Sequence, residues 1–250
     1  MRIDPLSVTS LFLDVFANGH KISTATGFVV ERTGKFFLIT NWHVFSGRNS
    51  ETTQLLSSTG AIPDEIRVAH HLAQSLGEWR FVSERLLSED GAPAWIEHPL
   101  RGQVDVAAIE LRNTSGLRFY PLDLRLEHVD LEVYPGMPVH VIGFPLGLRP
   151  SASFAIWKTG HIASDPDYPY LGLPAFLIDP TTRGGMSGSP VVARATGNHL
   201  TSLGMNISSL VKTRFLGVYS SRIHEYAEIG TVWWPSVVSE VLDRAPDARK

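Results

Sequence analysis

Short runs in which apolar and polar residues alternate, broken by glycine-containing turns, dominate the chain. SLFLDVFA, STATGFVVER, KFFLITNWHVF and VDVAAIELR fill the first half. They are rich in β-branched and aromatic residues and are separated by turn signals such as ANG and RTG. The second half repeats this texture in MPVHVIGF, SFAIWKTGHIAS, PAFLID, GSPVVAR and TRFLGVYSSRI. Many short strands with turns between them predict an all-β barrel or sandwich. From Ser50 to Arg101 the character is mixed, and GEWRFVSERLLSEDG fits either a strand pair or a helix. Near the end, in PSVVSEVLDRA, the period changes. Val237, Val238, Val241 and Leu242 share a helical face and Pro235–Ser236 resembles a helix start, so a helix is expected at about 235–245. Two β-halves should meet around residues 115–135.

Composition narrows the picture. At 250 residues, with 43% hydrophobic and 19% charged residues, the chain suits one large domain or one fold of two similar halves. A net charge of -3 and a pI of about 6.4 give no electrostatic footprint for nucleic acid or an anionic membrane. There is no cysteine, which removes disulfides, thiolate nucleophiles and Cys-based zinc sites and fits a reducing compartment. The N-terminal MRIDPLSVTSLFLDVFANG does not read as a signal peptide, and no apolar run is long enough to span a bilayer. A cytoplasmic, membrane-free protein is expected.

The stretch DPTTRGGMSGSPVV, Asp179 to Val192, sets three glycines around one serine, Ser187. It reads either as a glycine-rich turn or as the frame of a nucleophile. A serine hydroxyl needs a base to take its proton and a third group to orient that base. Of ten histidines, His43 stands out because it leaves the apolar run FFLITNW for a turn. Among carboxylates, Asp105 is followed at once by VAAI, which should be buried strand, so its charge needs a partner. A histidine N–H would serve; Asp123 and Asp130 lie in a more polar connection. Gly185 permits a positive φ, so the N–H groups of Gly185 and Ser187 could converge on a developing oxyanion. An α/β-hydrolase elbow would need glycine where Ser189 stands.

The order His43, Asp105, Ser187 and the motifs around them resemble the trypsin-like serine peptidases. LITNWHV is similar to the T-x-x-H segment, VDVAAIEL to the D-[IV]-A-x-[IL]-x-[LV] strand, and GGMSGSP to the G-x-S-G-[GS]-P signature. VIGFPLGL and KTGHIAS look like segments of the bacterial HtrA-like branch. The likeness runs from about Ser10 to Ile223. It implies two perpendicular six-stranded antiparallel barrels, at about 8–118 and 130–230, plus the C-terminal helix, in a single peptidase domain of 1–250. The active site would lie in the groove between the barrels. His43 would be general base and acid, Asp105 its orienting carboxylate and Ser187 the acyl-forming nucleophile. Backbone N–H groups of Gly185 and Ser187 would form the oxyanion hole, and no cofactor or metal is called for. Peptides or proteins are the implied substrates.

Three departures from the pattern matter. Met186 stands where digestive relatives carry an aspartate that pairs with a freshly cut N-terminus, so the hole is either preformed or ordered by an effector, such as an activating partner protein, or by substrate. No PDZ domain of the kind typical HtrA proteins carry is expected. The segment between His43 and Asp105 is longer than in a minimal peptidase and is a candidate wall of the cleft. By the same resemblance Thr181, Thr182, Ser220, Ser221 and Arg222 would line the S1 pocket, with a small or polar P1 residue preferred. The alternative for these five is ordinary strand positions. A peptide-binding module with little turnover is the alternative function. Metal-dependent hydrolysis through His70, His71 and His98 is disfavoured, since surface histidines explain them more simply.

Overall fold

A computed structural model describes residues 3–149, 154–223 and 227–246. Among the described residues, fourteen strands fall into two sheets. The first takes β1 (Ser10–Ala17), β2 (His20–Arg32), β3 (Lys35–Thr40), β4 (Glu65–Leu72), β5 (Ser75–Arg85) and β7 (Ala107–Glu110). Two-residue strands, β6 (Ile96–Glu97) and β8 (Leu117–Arg118), complete it, in the order β5-β4-β1-β2-β3-β7-β6 with β8 on β4. The stretch GEWRFVSERLLSEDG therefore supplies most of a strand, β5, rather than a helix. The second sheet takes β9 (Pro138–Gly143), β10 (Ile156–His161), β11 (Ala175–Ile178), β12 (Pro190–Thr201), β13 (Gly204–Arg222) and β14 (Gly230–Trp233), in the order β10-β9-β12-β13-β14-β11. All the pairings are antiparallel.

Local chemistry explains the tight turns. Asn18 and Gly19 join β1 to β2 with φ of 50° and 76°, and Thr33 and Gly34 join β2 to β3 with 50° and 75°. Two consecutive positive φ values match the right-handed twist of a two-residue hairpin, which is why Asn-Gly is favoured there. Each sheet then encloses its own apolar cluster. Leu13, Val15, Leu38, Phe45 and Val68 fill the first. Val139, Val141, Val191 and Met186 fill the second. A third cluster spans both sheets, where Phe12 and Phe28 of the first pack with Phe144 and Phe215 of the second. Helix α2 (Pro235–Leu242) lays Val237, Val238, Val241 and Leu242 on that shared core, as its sequence period predicts.

Three histidines expected at the surface are instead buried. His71 Nε2 lies 3.1 Å from the Val8 carbonyl and His98 Nε2 lies 2.7 Å from Glu240 Oε2. His70 packs edge-on against Phe119, and neither of its ring nitrogens has a hydrogen-bond partner among the described residues. Burial, with smaller contributions from His71 and Arg80, pushes its pKa down to about 4. The folded chain then refuses a proton that the unfolded chain accepts below about 6.5. Stability is complete above that pH and drains away as pH falls towards 4, by up to about 3 kcal/mol. Urea melts between pH 4 and 7 should show this slope and its flattening in His70→Leu. Parallel slopes would assign the acid sensitivity elsewhere.

Candidate active site

Strand β3 delivers His43 by ending at Thr40 and turning into a single helical turn, α1 (Trp42–Ser46). Asn41 bridges this turn to the segment entering β7, its Nδ2 donating to the Asp105 carbonyl at 2.6 Å. Asp105 sits two residues before β7 and is almost wholly buried. Its carboxylate does not go unpaired. Oδ1 accepts the His43 backbone N–H at 2.8 Å, and Oδ2 lies 2.7 Å from His43 Nδ1. Ser220 Oγ, arriving from β13 of the other sheet, donates to Oδ2 at 2.5 Å. Three donors thus satisfy the buried charge, and the two bonds to His43 fix its backbone and ring together.

The imidazole's proton affinity follows from that cage. Burial lowers the His43 pKa, but the charge of Asp105 and its hydrogen bond outweigh burial, and the net shift is upward. The ring keeps Nδ1 for Asp105, which leaves Nε2 to face the cleft.

Ser187 opens onto the same cleft of about 440 Å³. Its hydroxyl makes no hydrogen bond among the described residues, as expected before substrate draws nucleophile and base together. The backbone around it is tied down from several sides. Thr26 of β2 is central: its N–H donates to the Ser187 carbonyl at 2.9 Å and its Oγ1 to the Gly185 carbonyl at 2.7 Å. The same Oγ1 accepts the Phe144 N–H at 3.1 Å. Gly188 N–H donates to the Tyr219 carbonyl at 2.9 Å. Leu146, in the turn after β9, donates its N–H to the Gly184 carbonyl at 2.6 Å.

This last bond decides the orientation of one peptide plane. In a trans peptide the C=O and the following N–H point in opposite directions. With the Gly184 carbonyl held by Leu146, the Gly185 N–H is turned the other way, and it finds no acceptor among the described residues. The Ser187 N–H is equally uncommitted. Gly185 has φ +92°, and a side chain there would collide with the Phe144 carbonyl. Glycine is thus required on two counts.

Met186 explains how this loop holds without an aspartate. Its side chain is fully buried among Val139, Val141, Val191 and Tyr219. A carboxylate at this position would need a buried cation; the thioether needs only apolar neighbours. The loop is therefore pinned by packing and by the hydrogen bonds just described.

The five residues expected at the S1 pocket do not line the cleft that His43 and Ser187 share. Thr181 and Ser221 are exposed. Thr182 is buried and its Oγ1 hydrogen-bonds the Tyr219 hydroxyl. Arg222 and Arg183 face Glu228, at 4.0 and 3.1 Å. Ser220 turns its side chain to Asp105. The cleft itself is walled by Ile22, Thr24 and Ala25 of β2 and by Leu56, Ala61 and Pro63 from the long segment after His43. Sequence reasoning did not single out Thr26, Asn41 or Leu146. Their only signal is polar or strained placement inside otherwise apolar runs.

Comparison with known proteins agrees with the fold. The sequence matches the trypsin-like peptidase domain over residues 25–200. No curated protein matches it. Among solved structures, the serine endoprotease from Yersinia pestis superposes with a TM-score of 0.51 at 14% identity, covering 95% of the chain. The chain spans 62% of that enzyme's length. The active form of the Rv3671c protease from M. tuberculosis gives 0.51 at 18% identity, covering 95% of this chain and 80% of that one. Protease Anisep from Arthrobacter nicotinovorans gives 0.53 at 14% identity, covering 94% of both. At these identities the superpositions speak for the fold, while the sequence match spans well over half of the chain. The chain belongs to the trypsin-like peptidase domain family, a family of serine proteases.

Proposed function

We propose that the chain is an endopeptidase that cleaves peptide bonds through an acyl-enzyme on Ser187. The observation that carries this reading is the buried Asp105 carboxylate bonded to His43 at 2.7 Å, with His43 and Ser187 lining one cleft. His43 Nε2 takes the hydroxyl proton as Ser187 Oγ adds to the scissile carbonyl. The oxyanion would form at the N–H groups of Gly185 and Ser187, neither of which has an acceptor among the described residues. The imidazolium, stabilised by Asp105, then protonates the leaving amine. Water repeats the sequence on the ester and frees Ser187. The bonds from Thr26 and Leu146 and the packing of Met186 support a hole formed without an activating partner. The same groups argue against a purely peptide-binding role, which has no use for a paired imidazole beside uncommitted N–H donors.

Because His43 hands its proton to the leaving amine, the leaving side of the substrate lies beside His43. The wall there is Leu56, Ala61 and Pro63, facing Ile22 and Ala25 of β2. This apolar wall should favour small or apolar residues after the scissile bond. A peptide library digested by the full chain and read by mass spectrometry tests both statements. Internal cleavages are expected, with apolar preference after the bond. Leu56→Arg should shift that preference towards acidic residues and lower kcat/KM for such apolar peptides on the order of tenfold, about one pocket contact's worth. A profile with only terminal trimming would refute the endopeptidase reading. An unchanged profile in Leu56→Arg would refute the wall.

A further inference from the structure

Strands β12 and β13 outrun the sheet that contains them. Strand β9 pairs with β12 only from Val191 to Ala193, and β14 joins β13 only from Val218 onward. Beyond these points the two strands continue alone as a hairpin, from Gly197 opposite Ser208 to Thr201 opposite Gly204. Between Arg194 and Lys212 the sequence holds no Asp, Glu, Lys or Arg.

Directly opposed residues of an antiparallel pair share a face, as do residues two apart. Leu200, Met205 and Ile207 therefore lie on one face of the hairpin, and His199 and Thr201 on the other. His199 and Thr201 are buried, although Asn206, opposite His199, is exposed. Met205 and Ile207 are 73% and 75% exposed, and Leu203 at the tip is 95% exposed. Leu210 and Val211 extend the apolar surface to a groove of about 690 Å³ that they line with Leu6 and Leu126. An apolar patch of this kind, set outward on an extended element, marks a contact surface.

The two edges of the hairpin differ. The β12 side is covered: the Leu200 carbonyl accepts the Glu132 N–H at 2.9 Å, and the Ser202 N–H donates to Asp130 Oδ1 at 2.8 Å. The β13 side, from Met205 to Val211, has no strand partner among the described residues. Its outward N–H and C=O groups are a template for another strand.

The chemistry of these groups selects among occupants. Lipid would strip water from an unpaired edge without replacing the lost hydrogen bonds. Asp130 and Glu132 beside the hairpin, with no Lys or Arg in residues 195–211, also disfavour anionic headgroups. A charged partner finds nothing on the hairpin to pair with. The same edge of a second copy supplies the missing hydrogen bonds without needing a charge. Antiparallel pairing across a two-fold axis satisfies both edges and sets the two apolar faces side by side. We propose that the chain forms a homodimer by antiparallel pairing of the Met205–Val211 edges of two β13 strands.

Sedimentation of the full chain across 1–100 µM, an interval chosen to bracket on the order of micromolar association, should show a dimer. Ile207→Lys, which sets a charge on the joined face, should raise the dissociation constant at least about tenfold with an unchanged melting temperature. The lack of native cysteine allows a second measurement that does not depend on that variant. Ser208→Cys, near the expected axis, should cross-link to its copy under oxidised glutathione, and Asn198→Cys on the covered strand should not. A wild type that stays monomeric throughout would overturn the proposal, as would equal cross-linking at the two positions. Binding of a monomeric chain to phosphatidylcholine or phosphatidylserine vesicles would overturn it in favour of a lipid surface.

Discussion

Ser187→Ala is expected to lower kcat for a cleaved peptide on the order of 10⁶-fold, because it removes the atom on which the proposed acyl-enzyme forms. The fold should survive. Ser187 is only partly buried, its hydroxyl holds no hydrogen bond among the described residues, and its backbone carbonyl keeps the Thr26 N–H. Thermal melting should therefore be within a degree or so of wild type, a small change for a side chain with so few contacts. The residual rate would come from the oxyanion donors and substrate binding alone. Activity close to wild type in this variant would remove Ser187 from the chemistry, whatever else the cleft does.

Asp105→Asn should be the next most damaging change, with a loss on the order of 10⁴-fold. The carboxylate has two tasks that an amide cannot perform. It accepts from both the His43 backbone and Nδ1, and its charge stabilises the imidazolium formed as Ser187 attacks. The pH profile should separate these effects from simple misfolding. In wild type the neutral imidazole is the active form, so kcat/KM should fall as pH drops through the raised His43 pKa, above 6.5. In Asp105→Asn burial acts on His43 unopposed, and the acid limb should move to lower pH while the plateau collapses. A plateau loss with an unmoved limb would mean that His43 does not owe its proton affinity to Asp105.

Much of this architecture was legible in the sequence because β structure writes itself locally. SLFLDVFA coincides with β1 from Ser10 to Ala17, and the Asn18–Gly19 and Thr33–Gly34 turns fall where ANG and RTG stand. His43, Asp105 and Ser187 stood out in the sequence because each combines a reactive side chain with an apolar or glycine-rich frame, and the structure bonds the first two and sets His43 and Ser187 on one cleft. What escaped depends on contacts between distant segments. Ser220 lies 115 residues from Asp105 and meets it only because β13 crosses from the second sheet. The Thr26 hydroxyl and the Leu146 N–H act on backbone groups of other segments, which local patterning does not encode. The burial of His70, His71 and His98 is set by Phe119, Val8 and Glu240, none of them neighbours in sequence. The hairpin beyond GSPVVAR escaped because its residues mix small, polar and apolar types, and nothing local distinguishes a protruding strand pair from a loop.

The account rests on Ser187 being a nucleophile activated by His43. Intact-mass analysis after treatment with a fluorophosphonate tests that directly, since phosphonylation of the serine oxygen expels fluoride only if the hydroxyl proton has a base to take it. The account predicts one adduct per chain, mapped by peptide sequencing to Ser187, forming more slowly as pH falls through the His43 titration and absent in Ser187→Ala. An unlabelled wild-type chain, or an adduct on any other residue, would contradict it.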